Sequence, residues 1–106
     1  MEINLIPVKF TCPFCKKPKV TFVDANKLDD IENRTMPIQK ILPERYFSSS
    51  YREIFVSNIC SDCMEKTFGD PVEEHIDADM DDQEAQAIAK SDIYKMYDRY
   101  YQSIDN

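Results

Sequence analysis

The spacing of apolar residues predicts a β-hairpin near the start of the chain. Residues 5–11 (LIPVKFT) and 19–23 (KVTFV) are rich in β-branched and aromatic residues, which is typical of short strands. A Cys-Pro-Phe-Cys segment separates them. Because so few residues lie between the two strands, we expect them to pair as a hairpin around a tight turn.

Helical spacing and capping residues predict helices in the middle of the chain. Asp24 is a suitable N-cap for a helix over residues 25–32, with Leu28 and Ile31 facing the core. This helix must end before Pro37, because proline disfavours helical geometry at the residue before it.

Two more helices are expected before residue 70. Residues 38–42 fit either a short strand or one helical turn, whereas Ser48, Ser49 and Ser50 are candidate caps for a helix over about residues 51–57. The segment after the second cysteine pair continues as a helix to Gly69, the only glycine in the chain. Three apolar residues would supply the core here: Ile54, Phe55 and Ile59.

The remaining sequence predicts an acidic linker and one long helix. Residues 70–82 are acidic with few apolar positions, and Asp82 can cap a helix from about residue 83 to 103. We therefore divide the chain into a zinc-binding domain (1–69), an acidic linker (70–82) and a C-terminal amphipathic helix (83–106). The apolar stripe of that helix consists of Ala85, Ile88, Ala89, Ile93, Met96, Tyr97, Tyr100 and Ile104.

The four cysteines form two CxxC pairs, Cys12 with Cys15 and Cys60 with Cys63. Two such pairs can complete a tetrahedron of thiolates around one ion, and that ligand set favours zinc, with iron as an alternative. Four thiolates close the coordination shell and leave no position for water or substrate. The pattern therefore predicts one structural zinc ion and no catalysis at the metal.

The placement of the pairs indicates the architecture of the zinc domain. The first pair lies between two predicted strands and the second opens a predicted helix. This order favours an α+β, treble-clef-like domain over a zinc ribbon, in which the second pair would lie in another hairpin.

Charge and the absence of an apolar run restrict the class of partner. The net charge is −7, and residues 1–69 carry +1 (ten Lys/Arg, nine Asp/Glu) whereas residues 70–106 carry −8 (three Lys/Arg, eleven Asp/Glu). An acidic chain is repelled by phosphates, so nucleic-acid binding is disfavoured. Four lysines near the first cysteine pair are nevertheless candidate phosphate contacts: Lys9, Lys16, Lys17 and Lys19.

No apolar run approaches the roughly 20 residues that cross a bilayer, and no signal peptide is apparent at the N-terminus. We expect a cytoplasmic protein, with reduced thiols available to bind metal.

A cluster of tyrosines in the last helix is a candidate docking surface for a protein partner. Tyrosine and arginine are enriched in binding hot spots, and Tyr94, Tyr97, Arg99, Tyr100 and Tyr101 crowd one short stretch. A homodimer through this helix is one alternative. Another is that the apolar stripe simply packs on the zinc domain, with Tyr94 and Tyr101 off the stripe.

The segment 38–69 resembles small uncharacterised zinc-finger proteins of tailed phages and prophages. The residues that carry the resemblance are Ile38, Gln39, Leu42, Pro43, Arg52, Glu53, Cys60, Cys63, Phe68 and Gly69, with Cys12 and Cys15 upstream. The resemblance implies a phage-like origin and a zinc-bound fold, and it implies no activity.

These observations predict a non-catalytic zinc-binding interaction protein. The leading hypothesis is a phage-type adaptor or host-takeover factor that binds a protein, for example a nucleic-acid-binding enzyme, in the host cytoplasm. The alternative is a transcription or replication accessory that contacts nucleic acid through the lysines. A dithiol redox enzyme is a third hypothesis, because Cys12-Pro13-Phe14-Cys15 is similar to a glutaredoxin active-site segment and Thr35-Met36-Pro37 is similar to the cis-proline element of that fold. However, too few residues separate these two segments to form the helix and strand that lie between them in that fold.

Overall fold

A computed structural model describes residues 2–69 and 75–105 and shows an α+β protein, as the sequence predicts. Its elements in chain order are β1 (Leu5–Thr11), β2 (Pro18–Asp24), α1 (Ala25–Asn33), α2 (Ile38–Ile41), α3 (Ser49–Ser57), α4 (Ser61–Phe68), β3 (Ala78–Asp79) and α5 (Gln83–Asp105). Within the described residues, no helix has both the length and the apolar character needed to cross a membrane.

The predicted hairpin is the centre of a three-stranded antiparallel sheet. β1 pairs with β2 in a register that runs from Leu5 opposite Asp24 to Thr11 opposite Pro18. β3 pairs with the other edge of β2, so the strand order is β1-β2-β3. β2 is therefore the middle strand, and every residue from 19 to 24 is buried.

The predicted caps form at four helices, and at the start of α5 the Asp82 carboxylate accepts the Ala85 N–H at 3.1 Å. Asp24 accepts the Asn26 N–H at the start of α1, and Ser48 Oγ accepts the Tyr51 N–H at the start of α3. Gly69 ends α4 with φ +74°, the left-handed geometry in which glycine carries no steric penalty. The segment whose type the sequence left open forms one helical turn, α2.

α1 contributes less to the core than its apolar pattern predicts. Leu28 and Ile31 are only half-buried, and no residue of this nine-residue helix is fully buried. Ile31 packs against the core, as its predicted inward position implies, although neither Ile31 nor Leu28 is fully buried.

Residues 75–82 are part of the fold, although their acidic sequence predicts a linker. Ile76 and Ala78 are buried, and Thr21 Oγ donates a hydrogen bond of 2.6 Å to the Ile76 carbonyl. Asp77 accepts hydrogen bonds from the Ser61 N–H (2.8 Å) and Oγ (2.7 Å) at the start of α4. The second edge of β2 and the free N–H groups of α4 both need partners, and this segment supplies them. The rest of the expected linker, 70–74, lies outside the described residues.

α5 packs on β2 and β3 with a stripe that differs in part from the predicted one. Ala89, Ile93, Met96 and Tyr97 are buried as expected, but Ile88 and Ile104 are exposed. The buried face follows steps of four residues from Ala89 to Ile93 and Tyr97, and the next step adds Tyr101, which the sequence placed off the stripe.

One core joins the sheet, the cysteines and α5. It includes Phe10 and Phe22 from the sheet, the aromatic side chains of Phe47 and Tyr51, and Tyr97 from α5. Cys12, Cys60 and Cys63 belong to the same cluster. Residues 1–69 and the C-terminal helix therefore share a single hydrophobic core.

Candidate metal centre

The first cysteine pair lies in the turn of the β1–β2 hairpin. Cys12 follows β1 directly, its carbonyl accepts the Lys16 N–H at 2.8 Å, and its own N–H donates to the Lys17 carbonyl at 3.3 Å. Lys16 adopts a left-handed conformation with φ +59°, which reverses the chain before β2. This tight turn places both thiols of the pair on one side.

The second pair lies at the start of α4. Cys60 is the N-cap residue and Cys63 lies in the first turn, so a spacing of three residues puts both thiols on the same face of the helix. Asn58 brings the chain into this position by ending α3 in a left-handed conformation with φ +59°.

The four sulfurs meet at one point. All Sγ atoms of Cys12, Cys15, Cys60 and Cys63 lie within 4.8 Å of one another, and Cys15 Sγ is 3.7 Å from Cys60 Sγ. A tetrahedral zinc ion with Zn–S bonds of about 2.3 Å separates its sulfurs by about 3.8 Å. The four cysteines form no disulfide, and their sulfurs fit the ligand set of one tetrahedral metal ion.

The electrostatics of the thiols depend on burial and on local hydrogen bonds. Burial opposes ionisation of Cys12, but main-chain hydrogen bonds at Cys15, Cys60 and Phe14 outweigh it and lower the pKa of Cys12 to about 6. Burial and the neighbouring thiols instead raise the pKa of Cys60, and burial raises the pKa of Cys63. Four thiolates this close repel one another, and a bound cation would compensate that charge.

The cluster has the features of a closed site. Cys12 and Cys60 are fully buried, Cys63 is buried and Cys15 is half-buried. His75, the only histidine in the chain, is exposed and contacts Asp92, with Nδ1 3.1 Å from Oδ2. Four sulfur ligands satisfy a tetrahedral ion without a fifth group. Cys12, the thiol on which dithiol chemistry would depend, lies out of reach of solvent.

The lysines near the first pair do not form one basic patch. Lys9, Lys16 and Lys17 are exposed, but Lys19 is buried and its ammonium lies 2.6 Å from Asp79 and 3.8 Å from Asp62. Burial opposes the charge on Lys19, but the hydrogen bond and charge of Asp79 outweigh it and raise the lysine's pKa. The Lys19 ammonium therefore pairs with the carboxylates of Asp79 and Asp62 and is not exposed to bind a phosphate.

The tyrosines of α5 do not form one exposed surface. Tyr94 and Arg99 are exposed, Tyr100 is half-buried, and Tyr97 and Tyr101 are buried. Tyr100 contacts Lys27, whose ammonium donates to the tyrosine hydroxyl at 3.0 Å. Of the five predicted partner-binding residues, only Tyr94 and Arg99 are exposed.

The buried tyrosines belong to a polar cluster that the sequence did not predict. Tyr101 donates its hydroxyl proton to the carboxylate of Asp24, which is fully buried and also accepts the Asn4 N–H at 3.3 Å. Tyr51 donates to the Phe22 carbonyl at 2.6 Å, and its oxygen lies 2.8 Å from that of Tyr97. Burial raises the pKa of all three tyrosines, so each stays neutral and able to donate.

Fold and site together define a small α+β protein with a four-cysteine cluster that can hold a metal ion. Comparisons of the chain with protein-family models, with curated proteins and with solved structures found no match.

Proposed function

We propose that the cluster binds one zinc ion and that the ion is structural. Four sulfur ligands at tetrahedral separation favour zinc over ions that prefer oxygen ligands. Support for a structural role comes from the position of the cluster, which joins the hairpin turn to the start of α4 inside the core. A knuckle between two strands and a second pair at a helix N-terminus is the treble-clef arrangement, to which we assign this zinc domain.

We propose further that the protein acts by binding another protein and performs no chemistry of its own. The observation that carries this proposal is the closed ligand set: the thiols are the most reactive groups of the chain, and the fold uses all four together in its interior. A phage-type adaptor or host-takeover factor in the host cytoplasm fits a small domain of this kind, and the phage-like origin that the sequence resemblance implies agrees with such a role. A nucleic-acid-binding enzyme is one class of target, because an acidic chain is attracted to a basic groove.

Tyr94 and Arg99 remain candidates for the binding surface on α5, and the same face is the candidate for a homodimer. Tyr97 and Tyr101 support the function indirectly, because they hold α5 in place. Tyr101 bonds to Asp24 of β2, and Tyr97 bonds to Tyr51 of α3.

The experiment combines metal analysis with capture of the partner by the full-length, zinc-loaded chain. We expect one zinc per chain, and a cross-linked protein partner that resists nuclease treatment. A matched bait with Tyr94→Ala and Arg99→Ala keeps the fold and tests whether α5 makes the contact. Capture of nucleic acid alone, removed by nuclease, would contradict the proposal.

A second candidate function is nucleic-acid binding at the zinc knuckle. Phe14 is 58% exposed in the knuckle, and Lys16 and Lys17, which follow it in the chain, are exposed as well. An exposed aromatic ring with cations nearby can stack on a base. This function predicts that a labelled single-stranded oligonucleotide binds the protein with an affinity that falls as salt rises. The double variant Lys16→Glu and Lys17→Glu would abolish that binding, whereas Tyr94→Ala would not change it.

A further inference from the structure

An apolar groove lies between α1, α2 and α3, on a part of the surface that the proposed zinc site does not use. Its volume is about 430 Å³. Ile41 is buried at its base, Ile31, Ile38 and Phe55 form half-buried walls, and Met36 (41% exposed) and Val56 (53% exposed) lie at its rim. Exposed apolar side chains gathered along one groove are characteristic of interaction sites.

The groove is held in shape by the core and by a fixed turn. Phe55 packs edge-on against the buried ring of Tyr51 at a centroid distance of 5.1 Å, so one wall is fixed by the centre of the molecule. The turn after α1 is held by Asp30, whose carbonyl accepts the N–H groups of Arg34 and Thr35. A groove that exists before binding costs less entropy to fill than one that must form.

Arg34 gives the groove its charge preference. It is the one charged side chain among the described residues that line the groove, and it caps α1 in a left-handed conformation with φ 50°. The acidic excess of the protein belongs to residues 70–106, whereas residues 25–57, which contain the three helices of the groove, are neutral, with five Lys/Arg and five Asp/Glu. An occupant with apolar side chains and a nearby carboxylate is therefore complementary to this surface.

We propose that this groove is the docking site for an amphipathic helix of the partner protein, and that a carboxylate on that helix pairs with Arg34. The inference rests on the proposed function, since it names the surface and the kind of segment that a protein partner would present. The groove is open along its rim at Met36 and Val56, which suits the apolar stripe of a helix better than a small molecule that must be largely enclosed.

The test is a selection from a displayed library of random 16-residue peptides on zinc-loaded, full-length protein. We expect the selected peptides to carry apolar residues at helical spacing with an acidic residue beside them. Affinity should fall at least about tenfold with Val56→Asp and about three- to tenfold with Arg34→Glu. Val56 is half-exposed, so an aspartate there reaches solvent without entering the core.

Matched controls separate loss of the groove from a general change of charge or stability. Ile88→Asp introduces the same charge at an exposed apolar site on α5, and Lys66→Glu reverses a charge on α4 outside the groove. All variants must keep the zinc content and thermal unfolding midpoint of the wild type, and the two control variants should keep the peptide affinity.

Selected peptides that bind the Val56→Asp variant as tightly as the wild type would overturn the proposal. Selected peptides that lack an acidic residue would also overturn it. So would a selection that yields no peptide while decanoate binds in the groove. Failure here is distinguishable from failure of the proposed function. A captured partner that Val56→Asp still binds would move the docking site elsewhere and leave the function standing.

Discussion

The core of this protein contains two polar clusters that are built on opposite principles. In the cysteine cluster, four thiols converge within 4.8 Å and would repel one another when ionised, and a bound cation would compensate that charge. In the cluster around Asp24, a buried carboxylate and three buried tyrosines satisfy one another with protein hydrogen bonds alone. The first cluster joins the hairpin turn to α4, and the second joins the other end of the hairpin to α5.

The difference shows how a chain of 106 residues supplements a modest core. A metal ion contributes a large, conditional free energy that is lost when the ion is removed. Hydrogen bonds contribute less, but they need no ligand and they specify where α5 packs. We therefore expect substitutions in the cysteine cluster to lower the stability of the protein far more than substitutions in the cluster around Asp24.

The largest loss of stability should come from disruption of the cysteine cluster. Zinc binding to such sites is worth about 10–16 kcal/mol, which matches or exceeds the whole stability of a typical domain, about 5–15 kcal/mol. Cys60→Ser, or removal of zinc with a chelator, should abolish cooperative thermal unfolding and near-ultraviolet circular dichroism. Phe14→Ala, a substitution in the same knuckle that removes no ligand, should leave both signals intact. A chelated protein that still unfolds cooperatively would show that the metal is dispensable.

The second largest loss of stability should come from substitutions in the cluster around Asp24. Tyr101→Phe leaves a buried carboxylate without one of its donors, so we expect the free energy of unfolding to fall by about 1.5–3 kcal/mol. Tyr94→Phe removes the same hydroxyl from an exposed side chain of the same helix and should change stability by less than about 0.5 kcal/mol. Chemical denaturation of both zinc-loaded variants measures the two values. Equal values would mean that the buried hydroxyl does not stabilise the fold.

A third, smaller loss of stability should come from substitution of Asp77, in the segment that leads from α4 to α5. Asp77 caps α4 from a distant part of the chain, so Asp77→Ala should cost about 1 kcal/mol, as loss of a helix cap does. Asp77→Asn keeps an acceptor oxygen and should cost less. Denaturation at neutral pH compares the two. If alanine and asparagine are equivalent, the hydrogen bonds to Ser61 contribute nothing to stability.

The smallest effect is a dependence on pH at the same residue. Burial raises the pKa of Asp77 above its ordinary value of 3.8, with the hydrogen bonds from Ser61 opposing the shift. The folded state therefore holds this proton more tightly than the unfolded state, and the contribution of Asp77 to stability decreases as pH rises from 3.8 through the folded pKa.

The difference in stability between wild type and Asp77→Asn isolates this term, because the cysteine cluster titrates in both proteins. Measured upward from pH 3.8 with zinc content verified at each point, the wild type should lose stability relative to the variant as pH rises through the folded pKa of Asp77, then level off. The opposite slope would show that the Asp77 carboxylate is stabilised by the fold in its ionised form.

Local chemistry explains which parts of the fold the sequence predicted. Asp24, Ser48, Asp82 and Gly69 all act as the helix boundaries they were predicted to be, because capping depends on the residue and its immediate neighbours. The hairpin was predictable for the same reason, since its strands lie next to each other along the chain. The metal cluster was predictable because a CxxC pair defines its own geometry.

The errors concern contacts between residues that are far apart in the chain. Tyr101 was expected to be exposed, yet its partner Asp24 lies 77 residues away. Ile76 and Asp77 were placed in a linker because acidic residues surround them, but their partners Thr21 and Ser61 lie 55 and 16 residues away. No local pattern specifies such pairs.

The sequence by itself determined the hairpin, the main helices, their caps and the four metal-ligating candidates, because each depends on residues a few positions apart. Tertiary structure alone decided which acidic and aromatic residues serve the fold and which face solvent. A carboxylate or a tyrosine is stable in either place, and the choice depends on whether folding brings a hydrogen-bond partner to it.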